Sequence, residues 1–455
     1  MNSMGSSKKK VLASSIKKLY GREEEIQILR ACINAAKQTE GSSVPLVFVG
    51  GLSGTGKTAL IEHAFWKHKA TNQSSLLGCG KFELTKEPTP YGILLQALRQ
   101  ISSAMVSSTA KETYSELLTG EFVERKEIKK LCDLMPELDQ LFNPRSGQEG
   151  TVTQRTMCSK EELGQLKYLI RTFLRKISIH ERPVILYLDD IQWVDALTLD
   201  LLRAILLDNE LKHFVFVASY RNNEVFGENV DKKDSSPHKV AILLDTLKSS
   251  SRGSDVREMT ISDLTLHKIQ KLLQDILRTD QGTKELAELF VDRTGGNIFH
   301  TIELLEYLEM QGLLQYSPLD FQWTWDLGQL RDETMVTSNV VEILKTKIDL
   351  LSDTEVAVLK QFACLGYRFH QSVLPAAVSA AAMAVARQRE FQLVNNGENN
   401  EDTLVQDEWL DADAFCEIFL RERLLERVSE THLKFTHDSK CRVDFCGALL
   451  FSRIN

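Results

Sequence analysis

Gly51-Leu52-Ser53-Gly54-Thr55-Gly56-Lys57-Thr58 fits the spacing G-x-x-x-x-G-K-[ST] without a mismatch. Its flanks agree with it. Residues 44–49 (VPLVFV) form a short apolar run of the kind that fills a strand covered on both faces, and a helical pattern starts at Thr58 with Leu60, Ile61, Ala64 and Phe65. Glycines let backbone amides turn inward around a phosphate, while the new helix points its positive end at the same place. Gly51, Ser53, Gly54, Thr55, Gly56, Lys57 and Thr58 are therefore the candidate phosphate cradle, a P-loop or Walker A pattern. Lys57 is placed to reach the β- and γ-phosphates, and Thr58 to offer its hydroxyl to Mg2+. A chance glycine-rich turn is the alternative, and the strand before it and the helix after it count against that.

A phosphate loop of this kind needs an acidic partner. Residues 184–190 (VILYLDD) supply one, an apolar strand that delivers Asp189 and Asp190 to its C-terminal edge, a Walker B pattern. Ligands sit at that edge in open parallel sheets. Asp189 is expected to hold Mg2+ through water, and Asp190 to orient or polarise an attacking water. Two aspartates after a strand also serve as a turn or helix cap, the plainer reading.

Further apolar runs stand at 75–82, 214–220 and, more weakly, 256–260, with helical patterns between them. Strands alternating with helices predict an α/β fold, a parallel sheet sandwiched by helices. The expected organisation is a tail at 1–18, a nucleotide-binding core at 19–260 with a helical insertion at about 85–180, an all-α lid at 261–335, and a winged-helix-like helical region at 336–455. Polar loops are expected at 143–150, 232–238 and 395–407, and a last amphipathic helix at 412–427. Within 321–325 (FQWTW), alternate aromatics suggest a small hairpin of a winged helix.

Composition narrows the function. With 55 basic and 63 acidic residues the net charge is −8, which argues against a chain whose whole surface grips nucleic acid or anionic lipid. At 43% hydrophobic and 26% charged residues, disorder through most of the chain is excluded. Eight cysteines, at 32, 79, 132, 158, 364, 416, 441 and 446, form no C-x-x-C pair, so reduced, mostly buried thiols are expected. The alanine-rich stretch at 376–386 falls short of the ~20 residues that span a bilayer, and the segment after Lys8, Lys9 and Lys10 is too short for a signal-peptide core. A cytoplasmic protein is the expectation. His63 and His68 are five apart and share no helix face, so they suggest no metal site.

Several segments taken in order resemble one family. Residues 20–25 (YGREEE), the phosphate loop and residues 188–195 (LDDIQWVD) are similar to the signal-transduction NTPases with numerous domains, abbreviated STAND. These belong to the AAA+ superfamily, in the branch also described as origin-recognition-complex-like ATPase domains. Residues 217–224 (VASYRNNE) resemble the sensor strand of that family, 294–299 (TGGNIF) the turn of its helical lid, and 341–369 the helical domain that follows. The resemblance covers about 19–375. It implies that Gly21 and Arg22 lie near the adenine, that Arg221 approaches the γ-phosphate and reports it, and that Asn297 and Ile298 close over the base. It also implies that Trp193 and Asp195 stabilise the loop beyond the carboxylates. A surface salt bridge for Arg221 and a packing role for Trp193 are the plainer alternatives. Three departures stand out. Ile298 takes the place of the family's proline, the interval from Thr58 to Asp189 is long (189 − 58 = 131), and the text after Thr436-His437-Asp438 does not continue as an amphipathic helix at 441–455. The chain thus reads as a fragment of something longer.

The leading functional expectation is a slowly hydrolysing ATPase switch that binds ATP/ADP with Mg2+, whose nucleotide state governs lid closure and the binding of a protein partner or effector domain. A nucleotide-dependent oligomer is compatible with it, and no membrane is involved. The alternatives are a DNA-associated initiator-type ATPase, not favoured by the net charge, a nucleotide-binding scaffold without turnover, and a small-molecule kinase, for which no substrate pocket is legible.

Overall fold

The apolar run ahead of the glycines becomes strand β1 (Leu46–Gly51), and all six of its positions are buried. Burial on both faces requires a layer on each side, which the helices after each strand provide. The computed structural model describes residues 18–38, 44–71, 75–82, 90–108, 110–121, 125–142, 160–227, 237–250, 255–317, 322–336, 348, 351–365, 368–396, 412–421, 424–427 and 431–435. The tail at 1–17, the loop at 143–150, residues 232–236, the side chain of His68, most of 395–407, and residues 436–455 lie outside them.

Before β1 runs α1 (Glu23–Ala35), with Glu23, Glu24 and Glu25 in its first turn. Carboxylates there suit the positive end of the helix dipole. After β1 come α2 (Lys57–Thr71), β2 (Leu76–Lys81), α3 (Gly92–Val106), α4 (Lys111–Glu121), α5 (Arg125–Leu134), α6 (Asp139–Phe142) and α7 (Lys160–Ile177). The core closes with β3 (Val184–Asp189), α8 (Ala196–Leu206), β4 (Phe214–Arg221), α9 (Asn222–Val225), α10 (Lys239–Lys248) and β5 (Val256–Ile261). The helical insertion expected between the second and third strands is thus α3 to α7.

The five strands form one parallel sheet in the order β2-β3-β4-β1-β5. One face packs Val47, Val49, Ile185, Tyr187, Val215 and Val217 against Leu29 and Ile33 of α1 and Leu60 and Ile61 of α2. The other packs Phe48, Leu186, Phe216 and Ala218 with Leu98 of α3, Phe173 of α7 and Leu202 of α8. Each such side chain contributes about 1.5–3 kcal/mol when fully buried. A one-residue slip of any strand would turn these residues onto the wrong face, so burial fixes the register. That register brings the ends of β1, β3 and β4 together at one edge.

The segment expected as an all-α lid holds α11 (Leu266–Leu277), α12 (Thr283–Thr294) and α13 (Ile298–Met310). It is not all helical. β6 (Leu314–Ser317) and β7 (Gln322–Trp325) pair antiparallel, with Tyr316 opposite Trp323. The period-two alternation around Trp323 is the signal, and Trp323 is buried against Tyr316, with ring centroids 5.4 Å apart. This hairpin belongs to the first of two compact units, 1–332, rather than to a C-terminal winged helix.

The second unit, 333–455, has a core of Phe362, Phe369, Phe415, Phe419 and Leu433. Its helix Asp353–Cys364 opens with a capping box, in which Ser352 Oγ accepts from Glu355 N and Ser352 N donates to Glu355 Oε2. Two further helices, Leu374–Asn396 and Ala412–Arg421, accompany a three-stranded antiparallel sheet with His432–Phe435 between Arg368–His370 and Leu425–Arg427. The helix expected over 412–427 therefore stops at Arg421. Pairing with Leu433–Phe435 buries Leu425, and that packing overrides the helical periodicity. Cys32 and Cys416 are buried and Cys364 is exposed. Among the described residues no helix is long and apolar enough to cross a membrane.

Candidate nucleotide site

Between the end of β1 at Gly51 and the start of α2 at Lys57, the chain wraps through five residues. Gly54 holds φ +79°, a left-handed conformation that L side chains rarely adopt. A Cβ there would lie 2.6 Å from Asn297 Oδ1, and one on Gly51 2.5 Å from Ile261 O. The loop is thus approached closely from both sides. Thr55 Oγ1 donates to Leu52 O at 3.0 Å and tightens the turn. Lys57 is buried, and its Nζ donates to Gly51 O at 3.0 Å and Leu52 O at 2.7 Å. Burial pushes its ammonium down to about 8, against the pull of Asp190.

The carboxylates arrive at the same edge. Thr58 Oγ1 donates to Asp189 Oδ2 at 3.0 Å, although 131 residues separate them. Ser219, inside β4, donates its hydroxyl to Asp189 Oδ1 and accepts from Asp190 N at 3.1 Å. Lys81, the last residue of β2, bridges the pair, with Nζ 3.0 Å from Asp189 Oδ2 and 2.9 Å from Asp190 Oδ2. Burial works to raise the Asp189 carboxyl, and the Lys81 ammonium with the Ser219 hydroxyl overcomes it, so the pKa is lowered. Asp190 sits at φ 55°, ψ 46°, a left-handed backbone that costs a non-glycine residue of order 1–3 kcal/mol. Its Oδ1 accepts from Gln192 Nε2 at 2.9 Å and faces Arg221 Nε at 3.7 Å. These partners hold the strained residue in place.

Arg221 ends β4 in register with Gly51. Only 3% of it is exposed. Besides Asp190 it meets Glu224 at 3.2 Å and lies over the Trp193 ring at 4.9 Å. Trp193 Nε1 donates to Glu224 Oε2 at 3.0 Å, so indole, guanidinium and carboxylate lock together. Asp195 caps α8 by accepting from Thr198 N at 2.8 Å. Both residues stabilise the segment beyond the carboxylates.

Arg22 lies against the loop, with its NH2 group donating to Thr55 O at 3.2 Å and to Ser262 O at 2.5 Å. Burial lowers its pKa, opposed by Glu25. Gly21 is clasped by Lys268, whose Nζ donates to Gly21 O at 2.8 Å. From the lid, Asn297 Nδ2 donates to Ser53 O at 3.0 Å and Asp263 Oδ1 at 3.1 Å, while its Oδ1 caps α13 at His300 N. Phe299 N donates to Gly54 O at 3.2 Å, and Ile298 Cγ2 lies 3.6 Å from the position of a Cβ on Gly56. The structure therefore places Asn297 and Ile298 against the phosphate loop itself.

The phosphate-loop residues, Arg22, Asp189, Asp190, Arg221, Asn297 and Ile298 gather at this edge, whereas Asp195 caps α8 and Gly21 meets Lys268. Three residues that complete it were missed: Lys81, Ser219 and Gln192. Ser219 and Gln192 stood inside quoted segments without a role. The signal for Lys81 was a charge ending an apolar strand, at the edge where ligands sit in parallel sheets. Among the described residues no three His, Cys, Asp or Glu side chains form a metal-binding group. One hydroxyl and one carboxylate make a sparse oxygen set of the kind Mg2+ uses while keeping several waters.

Residues 18–217 match the family model described as the AAA ATPase domain. Hybrid signal transduction histidine kinase G of Dictyostelium discoideum is 21% identical over 422 residues, covering 78% of this chain. The chain spans 11% of that relative's length. Among solved structures, the Aeropyrum pernix Orc1 protein in complex with DNA is 15% identical with a TM-score of 0.37, covering 97% of this chain and 96% of that one. Cdc6p from Pyrobaculum aerophilum is 13% identical with a TM-score of 0.36, covering 95% of this chain and 96% of that one.

Proposed function

We propose that this chain, whose residues 18–217 match the AAA ATPase domain, is a slow ATP hydrolase of the STAND type, a signalling switch whose nucleotide state controls its lid and its partner. The observation that carries this reading is the 3.0 Å hydrogen bond from Thr58 Oγ1 to Asp189 Oδ2, which makes the phosphate loop and the acidic strand one site. Lys57, already stripped of water, would exchange its two carbonyl partners for phosphate oxygens, and charge-assisted bonds are the stronger. Thr58 and Asp189 would hold Mg2+, which supplies charge neutralisation at the phosphates when bound. Asp190, steadied by Gln192, would orient the attacking water.

Arg221 would report the γ-phosphate by leaving Asp190 and Glu224. Losing those contacts and the Trp193 ring opposes the move, which supports a slow turnover. The lid reads the loop through Asn297 and Phe299, whose donors sit on the backbone of Ser53 and Gly54. Any shift of that backbone on phosphate binding moves the start of α13, the lever for a partner surface. The net charge of −8 supports a protein partner over DNA, and the Dictyostelium relative's name supports signalling. A cytoplasmic site of action accords with this.

Lys57→Ala tests the proposal. A fluorescent-ATP titration of the folded variant should show affinity lower by roughly 10- to 100-fold, the worth of charged hydrogen bonds. An affinity equal to that of the native chain would sink the assignment.

A further inference from the structure

β2 and β3 pair with Lys81 beside Asp189, and Phe82 N donates to Asp189 O at 3.0 Å. Gly80 lets β2 lie tightly under α3, since a Cβ there would sit 2.7 Å from Ile93 Cγ2 and 3.0 Å from Ile93 O. Backbone pairing thus sets the depth of Lys81. Its ammonium reaches both carboxylates, at 3.0 Å from Asp189 Oδ2 and 2.9 Å from Asp190 Oδ2. Asp189 Oδ2 is also the oxygen that receives the Thr58 hydroxyl. One oxygen therefore carries both the hydroxyl and the tethered cation.

We propose that Lys81 is a built-in counter-ion that holds the Asp189–Asp190 pair in place without a divalent cation and competes with Mg2+ for Asp189 Oδ2. This rests on the reading of Asp189 as the residue that holds Mg2+. Two buried carboxylates at one edge repel each other, and a nearby positive charge offsets that repulsion. A lysine suits an exchangeable role, because its ammonium is a compact charge on a flexible stem, whereas the arginine fork locks a carboxylate bidentately. Exposure points the same way: the Lys81 side chain is 24% exposed, against 4% and 6% for the two aspartates. The ammonium therefore has a solvent side to withdraw to as Mg2+ enters. Lys81 is a positioning residue, and it sets the Mg2+ concentration at which the site loads.

The test uses the full chain and follows release of a fluorescent ADP as Mg2+ is raised. Lys81→Met should lower the half-saturating Mg2+ about fivefold, the upper range for a partly exposed ion pair. In EDTA its melting temperature should fall by roughly 1–2 °C, and Mg2+ with ADP should remove the deficit. Lys81→Arg, which keeps the charge and adds the fork, should need at least as much Mg2+ as the native chain. Asp189→Asn separates the two claims. If it leaves the Mg2+ dependence intact, the magnesium reading itself fails. If it abolishes that dependence while Lys81→Met behaves like the native chain, the counter-ion alone is overturned. A Lys81→Met protein that needs more Mg2+ also overturns it, since Lys81 would then assist binding.

Discussion

Asp189 and Asp208 are both buried carboxylates that meet cations, and they are wired in opposite ways. Asp208, just past α8, receives Arg175 Nε at 2.7 Å, Arg175 NH2 at 2.6 Å and Arg171 Nε at 2.8 Å, and accepts from Glu210 N at 3.1 Å. Burial tends to raise its carboxyl, and the arginine hydrogen bonds more than offset this, so its pKa is lowered. Planar forks from one helix, α7, pin the end of another, and neither partner has a reason to move. Asp189 instead meets a lysine and two hydroxyls, groups that pivot or rotate. Its neighbour Asp190 is strained. On the proposed reading, a carboxylate that only joins elements is closed by rigid donors, and one that accepts a ligand is held by donors that can let go.

Breaking the rigid cluster should cost the most. Asp208→Ala leaves two arginines facing a void, but both are about a third exposed and water recovers part of the loss. Denaturant melts should show about 2–3 kcal/mol of lost stability, with ATP affinity unchanged. A loss of ATP affinity in a folded Asp208→Ala protein would erase the distinction between the clusters. At the exchangeable cluster the effect should be on chemistry. Asp190→Asn should keep nucleotide binding and slow turnover by ~10-fold or more. Equal hydrolysis rates would leave Asp190 a structural residue like Asp208.

Acid is a further probe of the rigid cluster, because the Asp208 carboxyl is held below its ordinary range. A folded pKa below the unfolded value gives stability that is complete above roughly pH 4 and is lost as pH falls through the folded pKa. The melting-temperature gap between the native chain and Asp208→Asn should therefore close below about pH 4. A gap that stays constant would mean the carboxylate is not the ionised partner of Arg171 and Arg175. The smallest effect belongs to the lid. Ile298 is the first residue of α13, after Asn297 at ψ 122°, a backbone that suits a following proline. Ile298→Pro should stabilise the folded chain by about 0.4–1 kcal/mol and slow ADP release. Destabilisation would show that the start of α13 needs more freedom than its geometry suggests.

The phosphate loop and the strand ending in Asp189 and Asp190 were legible because their signals are local, a fixed spacing of glycines and an apolar run with charges at its end. Asn297 was assigned to a lid through the family resemblance of residues 294–299. Its bond to Ser53 O was not legible, because 244 residues separate the partners. Lys81 escaped notice on similar grounds. It meets Asp189 across 108 residues, and only the β2–β3 register brings them together. At 412–427 periodicity suggested one helix, and antiparallel pairing with Leu433–Phe435, just downstream, turned its end into a strand.

The most direct test is a calorimetric titration of ATP into the full chain, with and without Mg2+, for the native protein, Asp189→Asn and Asp208→Asn. The native chain and Asp208→Asn should bind ATP more tightly with Mg2+, and Asp189→Asn should bind with no Mg2+ enhancement. An equal enhancement in Asp189→Asn would contradict the claim that phosphate loop and acidic strand form one nucleotide site.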